Sequence, residues 1–144
     1  MDRASSSSDG AAAHQHLVMV VDDSATMRRS ITMTLERGGY RVVAADNGAQ
    51  ALSLLRQGTR PDLLLTDIVM PQVDGLQLIR EARQMLRFTP IVALTTQGQR
   101  PYRDEGKAAG ATAWLIKPTG GHDLISLVQR FLGESKAAAS SGTT

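Results

Sequence analysis

The chain has no cysteine, which removes disulfide frameworks, thiolate metal sites and cysteine nucleophiles from consideration. Aromatic residues make up 3% of its 144 residues, too few to offer stacking platforms for flavin rings or for runs of single-stranded bases. No apolar stretch approaches the ~20 residues that span a bilayer, and the Ser-rich start lacks the charged-then-apolar order of a secretory leader. The chain therefore reads as soluble and cytoplasmic. A massed block of one charge is also missing: the formal net charge is +2, and Arg28, Arg29, Arg37, Arg41, Arg83, Arg87, Arg103 and Lys107 are scattered. Nucleic acid and membrane surfaces are not expected partners.

What is present suits one globular domain, with 42% hydrophobic and 21% charged residues. Residues 1–15 and 135–144 are rich in Ser, Ala, Gly and Thr in low-complexity order and read as mobile tails around a domain at 16–134. His14 and His16 lie beside the first tail without a third ligand, so they read as solvated side chains rather than a metal site.

Inside the domain, short β-rich runs alternate with helical patterns. Strands are predicted at Leu17–Val21, Arg41–Ala45, Pro61–Thr66, Pro90–Thr95 and Ala113–Ile116. The first and third are nearly continuous in apolar residues, as parallel strands covered on both faces should be. Helical spacing follows in Met27, Ile31, Leu35, then Ala51, Leu54, Leu55, then Leu78, Ala82, Met85, and last Leu124, Val128, Phe131. Gly38-Gly39, Gly58 and Gly110 supply stop signals. The fourth helical segment, Tyr102 to Ala109, has small apolar residues and an interior Gly106, so it is expected to be the least firmly held. Five βα units with short connections predict a doubly wound, five-stranded parallel sheet of order 2-1-3-4-5 flanked by five helices, with flavodoxin-like topology.

That order brings polar strand ends together. Asp22 and Asp23 follow the first strand, Asp67 the third, Thr95 ends the fourth, and Lys117 follows the fifth, all at the carboxyl edge where such sheets bind ligands. Carboxylates about 5 Å apart repel by about 3 kcal/mol per pair at an effective dielectric near 20. Such a cluster calls for a cation, and oxygen donors suit Mg²⁺, with Mn²⁺ as a substitute. A carboxylate can attack phosphorus when a metal and an ammonium carry the charge of the phosphoryl oxygens. Asp67 then reads as the nucleophile, Asp22 and Asp23 as metal holders, Lys117 as the ammonium and Thr95 as a hydroxyl donor. Any one of these acids alone would read as a turn former or helix cap; their joint placement at four strand ends points to a site.

Asp22-Asp23-Ser24, Asp67-Ile68-Val69-Met70-Pro71 with Asp74-Gly75, Thr95-Thr96 and Lys117-Pro118 resemble the receiver domain of two-component response regulators. The resemblance runs from about Leu17 to Gly133. It extends to the single-domain, CheY-like chemotaxis receivers through Val21–Arg29 and Gly106–Thr112. It implies phosphoryl transfer from a CheA-like histidine kinase to Asp67, with Mg²⁺ held by Asp22, Asp23, Asp67 and the main-chain carbonyl of Val69. It further implies a switch in which Thr95 moves inward and Trp114, three residues before Lys117, follows, changing the face of helix four, strand five and helix five. Val69 and Gln97 stand where the family tunes hydrolysis of the acyl phosphate. Thr119 stands where many receivers carry Phe.

The implied output is binding as a whole monomeric domain, to a flagellar motor switch protein or to a histidine phosphotransfer protein, with a phosphatase as a further partner. On this reading the chain is not an enzyme beyond its own phosphorylation and dephosphorylation. A phosphorelay intermediate and a phosphate sink remain open alternatives. A Mg-dependent aspartyl-phosphate hydrolase also remains, although Val69 occupies the place of that class's acid/base. A flavodoxin-like carrier is disfavoured by the acidity of the first loop, where a phosphate would need donors.

Overall fold

The computed structural model of the protein describes residues 15–68, 70, 74–95, 102–116 and 121–133. Strands and helices alternate in the order β1 (Leu17–Val21), α1 (Ala25–Arg37), β2 (Arg41–Ala45), α2 (Gly48–Arg56), β3 (Leu63–Asp67), α3 (Gly75–Met85), β4 (Ile91–Thr95), α4 (Tyr102–Ala109), β5 (Ala113–Ile116) and α5 (Gly121–Leu132). The five strands form one parallel sheet of order β2-β1-β3-β4-β5, the predicted order. The tails expected at 1–15 and 135–144 lie outside the described residues, Gln15 excepted, whose Nε2 donates to Gly39 O at 2.9 Å.

Side chains alternate across each strand, so the sheet divides the core in two. Met19, Val21, Leu64, Ile91 and Ala93 pack with Leu52 and Leu55 of α2 and Leu78, Ile79 and Ala82 of α3. On the other face Val18, Val20, Leu63, Leu65, Val92 and Leu94 pack with Ile31 and Leu35 of α1 and Leu124 and Val128 of α5. Strands β3 and β4 are buried throughout, which explains why β3 reads as an unbroken apolar run rather than an alternation.

Strand β3 starts two residues later than Pro61, where the apolar run placed it. Pro61 has no N–H for a ladder, and Asp62 acts as a bracket: its Oδ2 accepts the Leu17 N–H at 2.7 Å, while its own N–H donates to Leu17 O at 2.7 Å. Regular pairing begins with Val18 against Leu63 and carries the strand to Asp67. Strand β4 likewise starts at Ile91 rather than Pro90.

Among its described residues, α4 gives the apolar core only Ala109, in line with the small residues of its sequence. Its C-terminal end is held instead by Arg83 of α3. That guanidinium donates to Gly110 O at 2.7 Å, Thr89 O at 2.7 Å, Leu86 O at 2.9 Å and Thr112 Oγ1 at 3.2 Å. Gly110 closes the helix at φ +122, a conformation that calls for glycine, and a Cβ there would crowd Arg83 Cγ at 3.1 Å. Burial lowers the Arg83 pKa from its ordinary value without threatening its charge. Arg83→Ala should cost about 2–3 kcal/mol in urea denaturation, because several carbonyls lose a charged donor at once. Arg83→Lys should recover only part of that, since an ammonium lacks the planar fork.

Candidate functional site

The carboxyl edge of the sheet is shaped by two loops. Beyond the last paired residue of β1, the Asp22 N–H still donates to Ala45 O at 3.2 Å, which extends the direction of the strand and buries Asp22 completely. Asp22 Oδ1 accepts the Ser24 N–H at 2.9 Å, and Ser24 Oγ accepts the Met27 N–H at 3.2 Å as the N-cap of α1. The Asp-Asp-Ser sequence thus turns the chain from strand to helix and leaves Asp23 exposed.

Asp67, 5% exposed, ends β3. Its Oδ1 accepts the Ile68 N–H at 2.8 Å, and Thr66 Oγ1 donates to the Asp67 carbonyl at 2.9 Å. Carboxylate oxygens of Asp22, Asp23 and Asp67 lie within 4.8 Å of one another. Three hard oxygen donors that close, two of them buried, repel one another strongly and fit a small divalent cation such as Mg²⁺.

Thr95, 4% exposed, ends β4 one residue beyond Leu94, the partner of Asp67, and so lies at the same edge. Trp114 pairs with Ala93, which places Trp114 and Thr95 on the same face of the sheet. The Trp114 ring lies against Gly106 of α4, where a Cβ would collide with Cζ2 and stand 2.6 Å from Cη2. The glycine that weakens the helix is therefore the notch that admits the indole. Trp114, Lys107, Leu127, Arg130 and Phe131 are among the residues lining a cavity of about 520 Å³ between α4, β5 and α5.

The structure thus brings Asp22, Asp23 and Asp67 together, sets Thr95 at their edge, and places Trp114 on the same face. Val69, Gln97, Lys117, Pro118 and Thr119 lie outside the described residues. Sequence reasoning took Gly75 only as part of a motif and gave it no role. Its N–H donates to Ile68 O at 2.7 Å, and a Cβ would collide with Asp67 O and stand 2.6 Å from Ile68 Cα. A signal was available: glycine at the first position of a helix, directly after the capping Asp74, is a poor helix former kept for another reason.

The chain belongs to the response regulator receiver domain family, whose model matches residues 18–129. Receiver domains are signalling modules of two-component systems. The transcriptional regulatory protein ResD of Bacillus subtilis is 35% identical over 115 residues, which cover 80% of this chain and 47% of ResD. Protein PilH of Pseudomonas aeruginosa is 34% identical over 117 residues, 80% of this chain and 96% of PilH. The chain thus spans about half the length of ResD and of the MprA response regulators it also matches, and nearly all of PilH.

Among solved structures, the chemotaxis protein CheY4 of Vibrio cholerae superposes with a TM-score of 0.77 at 36% identity, over 82% of this chain and 99% of that one. The receiver domain of the sensor histidine kinase PA1611 of P. aeruginosa superposes with a TM-score of 0.75 at 30% identity, over 84% and 100% of the two chains. That structure holds a magnesium ion in its active-site cleft. Among the described residues of the present chain, no helix is long and apolar enough to cross a membrane.

Proposed function

We propose that the protein is a single-domain response regulator that accepts a phosphoryl group on Asp67 from a histidine kinase. The carrying observation is the convergence of Asp22, Asp23 and Asp67 within 4.8 Å at the ends of β1 and β3. The Asp67 carboxylate, oriented through Oδ1 by the Ile68 N–H, attacks phosphorus. The P–N bond to the donor imidazole breaks, and the imidazole keeps the electron pair and takes a proton. Mg²⁺, or Mn²⁺ in its place, held by Asp22, Asp23, Asp67 and the Val69 carbonyl, supplies when bound the positive charge that offsets the carboxylates and the phosphoryl oxygens. Lys117 adds a fixed positive charge and Thr95 a hydroxyl donor, while Val69 and Gln97 set how readily water reaches the acyl phosphate.

In this reading the phosphoryl group carries about −1.5 to −2 charge in place of the single charge of the Asp67 carboxylate it consumes, and its oxygens draw Thr95 inward. Trp114, on the same face as Thr95 and seated in the Gly106 notch, follows and reshapes the cavity between α4, β5 and α5. A partner that binds this face differently in its two arrangements reads the signal. The near-complete match to the chemotaxis protein CheY4 favours a flagellar motor switch protein as that partner, with a cytoplasmic monomeric domain at 16–134 acting as a diffusible messenger. The match to a receiver belonging to a sensor histidine kinase supports a second reading, a phosphorelay step with a histidine phosphotransfer protein.

The test is Trp114 emission during titration with Mg²⁺ and then acetyl phosphate or beryllofluoride, with Asp67→Asn as control. A saturable change that requires Mg²⁺ and is absent from the variant is expected. An unchanged spectrum, with intact mass showing no phosphoryl group, would overturn the proposal. Tighter binding of a motor switch peptide after phosphorylation separates the motor reading from the relay.

A further inference from the structure

Arg28 lies on the first turn of α1, its N–H bonded to Ser24 O at 2.9 Å. Its side chain turns back toward the sheet, and Nη1 donates to the main-chain carbonyl of Asp22 at 2.7 Å. A half-buried arginine at this place could extend into water. Arg28 also lines a shallow groove with Ala25, Arg29, Thr32, Met33 and Ala44 and is only partly buried, so burial alone does not dictate the bond. The carbonyl it reaches stands one residue past the last paired residue of β1. It also belongs to the planar peptide unit that joins Asp22 to Asp23, so fixing it fixes the plane from which both side chains depart. The preceding unit, between Val21 and Asp22, is held at the Asp22 N–H by Ala45 O, and the Asp22 carboxylate is held by the Ser24 N–H. Arg28 completes the brace with a charge-assisted bond.

We propose that Arg28 is a positioning residue for the acidic cluster, aiming Asp22 and Asp23 at Asp67 by holding the peptide between them, and so setting the affinity of the site for Mg²⁺. The inference rests on the reading of that cluster as a magnesium site. Its sign is opposite to that of simple electrostatics: a guanidinium near a divalent cation repels it, so removing a mere charge would tighten Mg²⁺ binding, whereas removing a brace weakens it.

The experiment is a calorimetric Mg²⁺ titration of the full chain as wild type, Arg28→Met and Arg28→Lys, with thermal melting in EDTA to confirm folding. Methionine keeps an unbranched apolar stem and loses both donor and charge. Its dissociation constant for Mg²⁺ is expected to rise about tenfold, as loss of an outer-shell partner does elsewhere. An unchanged or lower constant overturns the proposal. Should Arg28→Met not fold, Arg28→Lys decides: it keeps the charge and loses the planar fork, a rise of about threefold supports the brace, and no rise overturns it. Absence of Mg²⁺ binding by the wild type would overturn the metal reading itself, a result distinct from either outcome of the variants.

Discussion

Asp67→Asn should abolish phosphoryl uptake and, in the absence of metal, make the protein more stable than the wild type. The second effect follows from the crowding of three carboxylates within 4.8 Å. Each pair repels by about 3 kcal/mol at an effective dielectric near 20, less where exposed Asp23 is screened by water, so removing the Asp67 charge should add about 2 kcal/mol. Asparagine keeps an Oδ1 to accept the Ile68 N–H, so the loop should survive the change. With Mg²⁺ at a hundred times its dissociation constant the wild type gains about 2.7 kcal/mol by mass action. The variant, with one ligand neutralised, gains much less, and the order of stabilities closes or reverses. Urea denaturation of both proteins in EDTA and in Mg²⁺ reads the crossing. A variant less stable than the wild type in EDTA would show that the acids are not in mutual repulsion.

Gly75→Ala should damage the same site from outside it. The new methyl group would collide with the Asp67 carbonyl and crowd the Ile68 backbone, neither of which can step aside by changing a rotamer. Either α3 retreats from the end of β3 or the loop bearing Asp67 moves; overpacking of this kind costs about 3 kcal/mol. The Gly75 N–H bond to Ile68 O, 2.7 Å long, would stretch with it. Stability and the rate of phosphoryl uptake from acetyl phosphate should both fall. Gly58→Ala is the comparison: its backbone is also strained for alanine at φ +109, but nothing lies within 4 Å of the added carbon. It should cost only the conformational term of about 1–2 kcal/mol and leave the chemistry untouched. Wild-type behaviour of Gly75→Ala would mean that α3 and β3 are not held as tightly as their backbones lie.

The sheet order and the meeting of Asp22, Asp23 and Asp67 were legible because they depend on periodic burial and on which residue ends each apolar run. Strand β1 was read to the residue, since its apolar run and its ladder coincide. Strand β3 was shifted because Asp62, polar and next to a proline, spends its bonds on Leu17 instead of the ladder. Periodicity reports which face a residue occupies and is silent on where a long side chain ends. Arg28 and Arg83 therefore passed as scattered surface charge, yet one reaches the Asp22 carbonyl and the other joins α3 to the turn after α4. Gly75 and Gly106 passed for a related reason: what each spares is a backbone or a ring on a neighbouring element, which the glycine's own helix pattern does not report.

The Arg83 clamp has a mechanical consequence. It grips the chain at Gly110 and Thr112, just past the last turn of α4. A rearrangement of α4 that keeps these bonds is a swing about that end, with its widest arc at Tyr102. Like a door hung on one jamb, the helix turns a small push near its far end into a tilt of the whole panel. Trp114, pressed into the Gly106 notch partway along, sits where that tilt is felt without being the largest displacement.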